Sequence, residues 1–186
     1  MTAAKATVTT SAEIKQFPAN NIKFTVDRDV ILKCLAHVQS VVEKRTTIPV
    51  LSNVKIEAED GKLRLTATDM EIAISDTAPA HVAEQGKITL PAQVLYDIIR
   101  KLPEGAEIEV SNLAGEQVQV KSGRSKFKLL SLPVDTFPVM EQGDLPFKFK
   151  LSAKDFYTLI DKVRFAISNE ETRYYLNGIY IHSAND

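Results

Sequence analysis

Phe24-Thr25-Val26-Asp27 opens a pattern that the chain writes three times. An apolar-polar-apolar triplet runs into a polar or proline cap, and apolar residues at helical spacing follow. After Asp27 they are Ile31, Cys34, Leu35 and Val38. The second copy is Ile88-Thr89-Leu90-Pro91, with Leu95, Ile98, Ile99 and Leu102. The third is Phe149-Lys150-Leu151-Ser152, with Phe156, Leu159, Ile160 and Val163. In each copy the positions i, i+3, i+4 and i+7 line up as one apolar stripe on a helix. A repeat of this length decides architecture before any single motif does. It predicts an α+β chain assembled from strand-helix-strands units, with helices on one face of antiparallel sheets.

Around the repeats, the elements follow from punctuation. The first helix is expected to run from the Asp27 cap to about Val42, and Glu43 to Thr47 to form a polar loop stopped by Pro49. Strands are expected over Val50–Ala58, Lys62–Asp69 and Glu71–Ala78, with Glu59-Asp60-Gly61 as a hairpin turn. Pro91 fits the first helical position of the second copy, where its missing N–H costs nothing. That helix is expected to end at Leu102, before strands over Ala106–Ser111, Gln117–Lys121 and Ser125–Leu130. Leu132 to Asp144 is marked by proline and glycine and reads as a linker. The third helix is capped by Ser152, and Tyr174–His182 reads as its only following strand. The expected organisation is a flexible tail over 1–21, with a short helical stretch near Ser11 to Gln16, a complete domain over 22–144 and an incomplete one over 145–186. The first helix has three strands to cover its stripe and the third has one, so the last segment should be less ordered or expose apolar surface.

Composition narrows the function. The 186 residues carry 23 basic and 24 acidic side chains, a net charge of −1, which lacks the basic excess usual in nucleic-acid binders. Charge distribution is a separate matter: Lys33, His37, Arg100, Lys101, Lys154, Lys162 and Arg164 fall opposite the helix stripes. The loops add Arg45, Lys121, Arg124, Lys126 and Lys128. The single cysteine, Cys34, excludes an internal disulfide and reads as a small buried hydrophobe. No apolar run is long enough to cross a membrane, and a reduced cytoplasm is the expected location. His37, His81 and His182 lie in different units, without metal-ligand spacing. Asp69 and Glu71 read as capping a tight turn rather than sharing a proton. The residues offer no catalytic constellation, no metal site and no cofactor motif.

Seven ordered motifs carry a resemblance. They are Lys23-Phe24-Thr25-Val26, Leu51-Ser52-Asn53, Leu65 to Glu71 (LTATDME), Leu102 to Ile108 (LPEGAEI), Ser122 to Phe127 (SGRSKF), Leu132-Pro133 through Phe137-Pro138, and Arg173 to Gly178 (RYYLNG). In this order, from about Ile22 to His182, the chain resembles the bacterial sliding-clamp family, the beta subunits of DNA polymerase III. The resemblance implies the DNA-clamp fold and a non-catalytic processivity factor without a cofactor. Two chains would close head to tail around duplex DNA, independently of its sequence. The implied partners are DNA polymerase III subunits, the clamp loader and a second copy in a full-length homodimer.

The resemblance also assigns residues. Arg45, Arg100, Tyr174 and Tyr175 stand where the family touches DNA. Arg173, Tyr175 and Leu176 match the near wall of its partner-peptide groove. Arg124, Lys126, Phe127 and Leu129 match its subunit-interface strand. Glu170 replaces a family glutamine, and Gln93 and Val94 stand where some members carry basic residues. Because the family chain is about twice as long, the sequence is expected to be an N-terminal fragment. The competing reading is a regulatory or assembly module that uses the fold without encircling DNA. Sequence-independent retention by enclosure is compatible with the near-zero net charge, since a modest positive lining attracts phosphates at long range.

Overall fold

The computed structural model describes residues 22–42, 47–139 and 148–182, apart from the side chains of Glu171 and Tyr174. The expectations for residues 1–21, for Arg45 and for the Tyr174 side chain lie outside that description. The chain divides into two units, Met1–Met140 and Glu141–Asp186, and each is described by itself.

The first unit holds nine strands and two α-helices among its described residues. The chain order is β1 (Lys23–Asp27), α1 (Arg28–Val38), β2 (Asn53–Glu59), β3 (Lys62–Thr68), β4 (Ala73–Pro79), β5 (His81–Glu84) and β6 (Gly86–Pro91). α2 (Ala92–Lys101), β7 (Glu107–Asn112), β8 (Gln117–Ser122) and β9 (Ser125–Leu130) follow. All pairings are antiparallel, and they build a five-stranded sheet, β5-β1-β7-β8-β9, and a four-stranded sheet, β4-β3-β2-β6.

The two halves of this unit exchange strands. β1, which leads into α1, pairs with β7, which follows α2; Asp27 faces Glu107, Val26 faces Ile108 and Phe24 faces Val110. β6, which leads into α2, pairs with β2, which follows α1; Pro91 faces Asn53, Leu90 faces Val54 and Ile88 faces Ile56. The cap of each helix thus lies opposite the start of the strand after the other helix. The two halves are related as by an internal two-fold. Their inward residues, together with Ile31, Cys34, Leu35 and Val38 of α1 and Leu95 and Ile99 of α2, form one buried cluster.

Local chemistry sets the boundaries. Asp27 caps α1, its carboxylate accepting from the N–H groups of Asp29 (2.8 Å) and Val30 (3.3 Å). α1 ends at Val38, short of the expected Val42, and a 3-10 turn takes Gln39–Val41. There the Ser40 hydroxyl donates to the His37 carbonyl at 2.8 Å. A second 3-10 turn, Pro49–Ser52, occupies what reads as the start of a strand, because Pro49 fixes the first position of the turn. β4 begins at Ala73 rather than Glu71. The Asp69 carboxylate takes the N–H groups of Glu71 (2.9 Å) and Ile72 (2.7 Å) into a turn. The two residues between β2 and β3, Asp60 and Gly61, both have positive φ, 49° and 74°. That is the two-residue hairpin geometry an Asp-Gly pair favours. Pro91 is the last residue of β6 and the cap of α2, one position before the expected N1.

Residues 131–137 are strapped to the four-stranded sheet. The buried Thr89 hydroxyl donates to the Leu132 carbonyl (2.8 Å). It accepts from the Leu132 N–H (3.0 Å) and from Asn53 Nδ2 (3.1 Å). Phe137 is buried, with Lys55 Nζ 5.5 Å from its ring centre. Lys55 and Lys87 flank Glu57 at 3.5 and 2.7 Å. Burial pushes the Glu57 carboxyl up, and the two lysines more than offset it, so the group stays below its ordinary value.

In the second unit, Ser152 caps α3 (Ala153–Val163), accepting from the Asp155 N–H at 3.1 Å. A 3-10 segment covers Glu171–Leu176, taking in the start of the strand expected over Tyr174–His182, and 177–182 is not in a ladder. No described residue of α3 is buried, whereas α1 buries Ile31, Cys34, Leu35 and Val38.

Candidate nucleic-acid interface

α1 and α2 run antiparallel, and one side chain ties them. Arg28, in the first turn of α1, donates from Nε to the Ile99 carbonyl (3.2 Å) and from Nη2 to the Arg100 carbonyl (2.9 Å). These are carbonyls of the last turn of α2, at its negative dipole end, and the Ile99 carbonyl also accepts from the Leu102 N–H at 3.2 Å. Arg28 thereby caps α2 from the neighbouring helix. Its role was not legible in the sequence, since an arginine directly after an Asp cap reads as an ordinary solvated first-turn residue.

On the helix faces turned to solvent stand Lys33 of α1 and Arg100 and Lys101 of α2, all exposed. Arg100 Nη2 donates to Asp97 Oδ1 at 3.3 Å, and its guanidinium lies 5.7 Å from the Tyr96 ring centre. Both contacts orient the cation along the helix without burying it. His37 is engaged elsewhere, its Nδ1 lying 2.8 Å from Asp76 Oδ2 on β4. The hydrogen bond from His37 holds the Asp76 carboxyl below its ordinary value. Burial, with the Asp76 carboxylate beside it, pushes the Cys34 thiol up to about 11. Such a thiol is protonated at neutral pH and a poor nucleophile.

The interface candidates Arg124, Lys126, Phe127 and Leu129 come together on β9 and the turn before it. β9 is an edge strand, with β8 on one side and no ladder partner on the other among the described residues. Lys126 and Lys128 project outward, Phe127 is half-buried against the core and Leu129 is buried. Leu130, at the end of the strand, is exposed. Lys121, one of the loop cations, is paired with Glu109 at 2.9 Å and adds no free charge.

In the second unit, Arg173, Tyr175 and Leu176 share the 171–176 segment, which also contains Tyr174. Arg173 Nε lies 2.9 Å from Glu170 Oε2, and its backbone sits at φ −115°, ψ 47°. Tyr175 and Leu176 are exposed. Among the described residues, no group of three or more His, Cys, Asp or Glu side chains is placed to hold a metal ion, and no helix is long and apolar enough to cross a membrane.

Known proteins share this arrangement. The profile of the DNA polymerase III beta subunit, N-terminal domain, matches residues 22–141. The beta sliding clamp of Caulobacter vibrioides is 46% identical over 166 residues, covering 89% of this chain and 45% of that protein. The beta sliding clamp of Escherichia coli K12 is 39% identical over 166 residues, with the same coverage of 89% and 45%. The crystal structure of the DNA polymerase sliding clamp from Caulobacter crescentus superposes with a TM-score of 0.85 at 46% identity, covering 89% of this chain and 45% of that one. This chain therefore spans under half the length of the relatives it matches. Through a domain of two strand-exchanging halves, matched over residues 22–141, the chain belongs to the DNA polymerase III beta subunit family.

Proposed function

We propose that this chain supplies the N-terminal part of a sliding clamp, a processivity factor that tethers the replicative polymerase to duplex DNA. The observation that carries the reading is the 46% identity to a beta sliding clamp across 89% of the chain. The physical argument agrees with it. A tether has to hold DNA without stopping on any sequence. Enclosure supplies retention, and a sparse cationic face supplies weak, long-range attraction to phosphates. Lys33, Arg100 and Lys101 on the paired helices suit that role. They are solvated, sparse and attached to rigid elements. Arg45, Tyr174 and Tyr175 join them as DNA contacts. Retention needs no chemistry from the protein, so this part carries positions rather than catalytic groups.

The open edge of β9 suits the subunit interface. Its unpaired N–H and C=O groups can extend a sheet across two chains, with Lys126 and Arg124 selecting the partner by charge and Phe127 and Leu129 anchoring the strand. Arg173, Tyr175 and Leu176 form one wall of a groove for peptides of polymerase and loader subunits. The full-length homodimer acts in the cytoplasm, loaded onto DNA by a clamp loader.

The test is a chimera. Residues 22–182 replace the matching part of the Caulobacter clamp, and the product is assayed with that organism's loader and polymerase on a primed single-stranded circle. Long products from single binding events are expected. A folded, dimeric chimera that leaves synthesis distributive would overturn the reading.

A further inference from the structure

The solvent face of α2 carries one carboxylate beside its cations. Asp97 is the only acidic residue of Ala92–Lys101. Gln93, Asp97, Arg100 and Lys101 stand at i, i+4, i+7 and i+8, so they share one side of the helix, opposite the buried Leu95 and Ile99. Both oxygens of the carboxylate are engaged on that side. Oδ1 accepts from Arg100 Nη2 at 3.3 Å, and Oδ2 accepts from Gln93 Nε2 at 3.3 Å. The Asp97 side chain is 41% exposed and that of Arg100 57%, so solvent reaches both. The halves of the first unit differ at this position: six residues past the cap, α1 carries the exposed Lys33 and α2 carries Asp97. A solvated pair three residues apart adds little to helix stability. Its larger effect is on what the guanidinium can offer to another anion.

We infer that Asp97 limits the hold of this face on DNA by competing with phosphate for the Arg100 guanidinium. The inference rests on the clamp reading above, in which the solvent faces of α1 and α2 are turned to the duplex. A guanidinium forks equally well to a carboxylate and to a phosphate. With Asp97 at hydrogen-bond distance, Arg100 has an anion to return to whenever a phosphate leaves. Each step along the duplex then exchanges one anion for another and never strips a bare cation. The exchange lowers affinity at every position and lowers the barrier between positions, which is what a sliding tether needs. Gln93 helps to fix the carboxylate, so the exchange partner stays in place as DNA moves. The Tyr96 ring, 5.7 Å from the Arg100 guanidinium, keeps the cation near the helix.

Asp97→Asn removes the charge and keeps the shape. Binding of the full chain to a short fluorescent duplex, followed by anisotropy from about 25 to 250 mM salt, reads the effect. The slope of log K against log salt should steepen by about 0.9, the value of one further phosphate neutralised. The gain in affinity over the parent should therefore shrink roughly eightfold for each tenfold rise in salt. Asp97→Glu keeps the charge and should bind as the parent does. Glu116→Gln makes the same charge change on the exposed turn between β7 and β8 and should leave the slope unchanged, because charges beyond a Debye length are screened. With Arg100→Ala already in place, Asp97→Asn should produce less than about half of its slope change, since the two residues act as a pair. Melting temperatures should not differ among Asp97→Asn, Asp97→Glu and the parent, which separates the effect from folding.

An unchanged slope in Asp97→Asn, with binding still weakened by Arg100→Glu, overturns the inference and leaves the clamp reading standing. A full gain in the absence of Arg100 also overturns it, because the carboxylate would then repel phosphates directly and not compete for the guanidinium. Binding that Arg100→Glu fails to weaken would remove these helices from the DNA face, and both readings would fall together.

Discussion

Replacing Arg28 by alanine tests the antiparallel pairing of α1 and α2. The side chain is 12% exposed and donates to two carbonyls at 3.2 and 2.9 Å. Hydrogen bonds from a charged donor contribute about 1.5–3 kcal/mol each, and two on one residue are not fully additive. The exposed pair with Asp29 adds roughly 0–1 kcal/mol. Alanine is a better helix former, by a few tenths of a kcal/mol. The net expectation is a loss of about 2–4 kcal/mol, read as a fall in melting temperature of roughly 6–12 °C for a domain of this size. Arg28→Lys should recover half of the loss or less, because a single ammonium cannot fork to both carbonyls. Urea denaturation followed by far-UV circular dichroism gives the free energies. A loss below about 0.5 kcal/mol for Arg28→Ala, or a lysine variant as stable as the parent, would show that the helix junction is held by packing alone.

Four further outcomes rest on particular side chains. Thr89→Val keeps the shape but leaves Asn53 Nδ2 and the Leu132 N–H and carbonyl without the hydroxyl, at a cost of about 2–4 kcal/mol; limited proteolysis should then cut within residues 131–138, which stay protected in the parent. Glu57 has a lowered folded pKa, so its contribution is fully present above the unfolded value of 4.5 and is lost as pH falls through the folded one. Stability measured from pH 6 down to 2.5 should therefore fall less steeply for Glu57→Gln than for the parent. Cys34 is buried with its thiol pushed to about 11; at pH 8 it should react with a disulfide reagent at least about a hundred times more slowly in the folded chain than in urea. Binding of the chain to a short duplex should be weak and strongly salt-dependent. Arg100→Glu with Lys101→Glu should lower the slope of log K against log salt by about one for each phosphate no longer neutralised, equally for all duplex sequences.

Most of the fold was legible because burial has a period. The stripe Ile31, Cys34, Leu35, Val38 is wholly buried, and in α2 Leu95 and Ile99 are buried with Ile98 and Leu102 packed beside them. Asp60-Gly61 announced its hairpin, and Asp69 the turn that it caps. What escaped was set by partners far away in sequence. β5, His81–Glu84, carries little apolar alternation and is a strand because β1 offers it an edge. The strap over 131–137 depends on one hydroxyl, Thr89, that reads as an ordinary strand residue. Tyr174–His182 alternates like a strand, yet 177–182 has no ladder partner among the described residues and 171–176 turns as a 3-10 segment. On α3 the stripe residues Phe156, Leu159 and Val163 are exposed. The charge pattern of the helix faces was legible in the sequence but its engagement was not: Arg100 is exposed yet paired with Asp97, and His37 and Lys121 are tied to Asp76 and Glu109.

Enclosure of DNA is best measured by release. The chimera carrying residues 22–182 is loaded onto a nicked circle, isolated by gel filtration, and the circle is cut once. A clamp should stay on the closed circle and leave within minutes of linearisation, whatever the sequence at the ends. Protein that remains bound to the linear product would mean that direct contacts, and not a closed ring, hold it there.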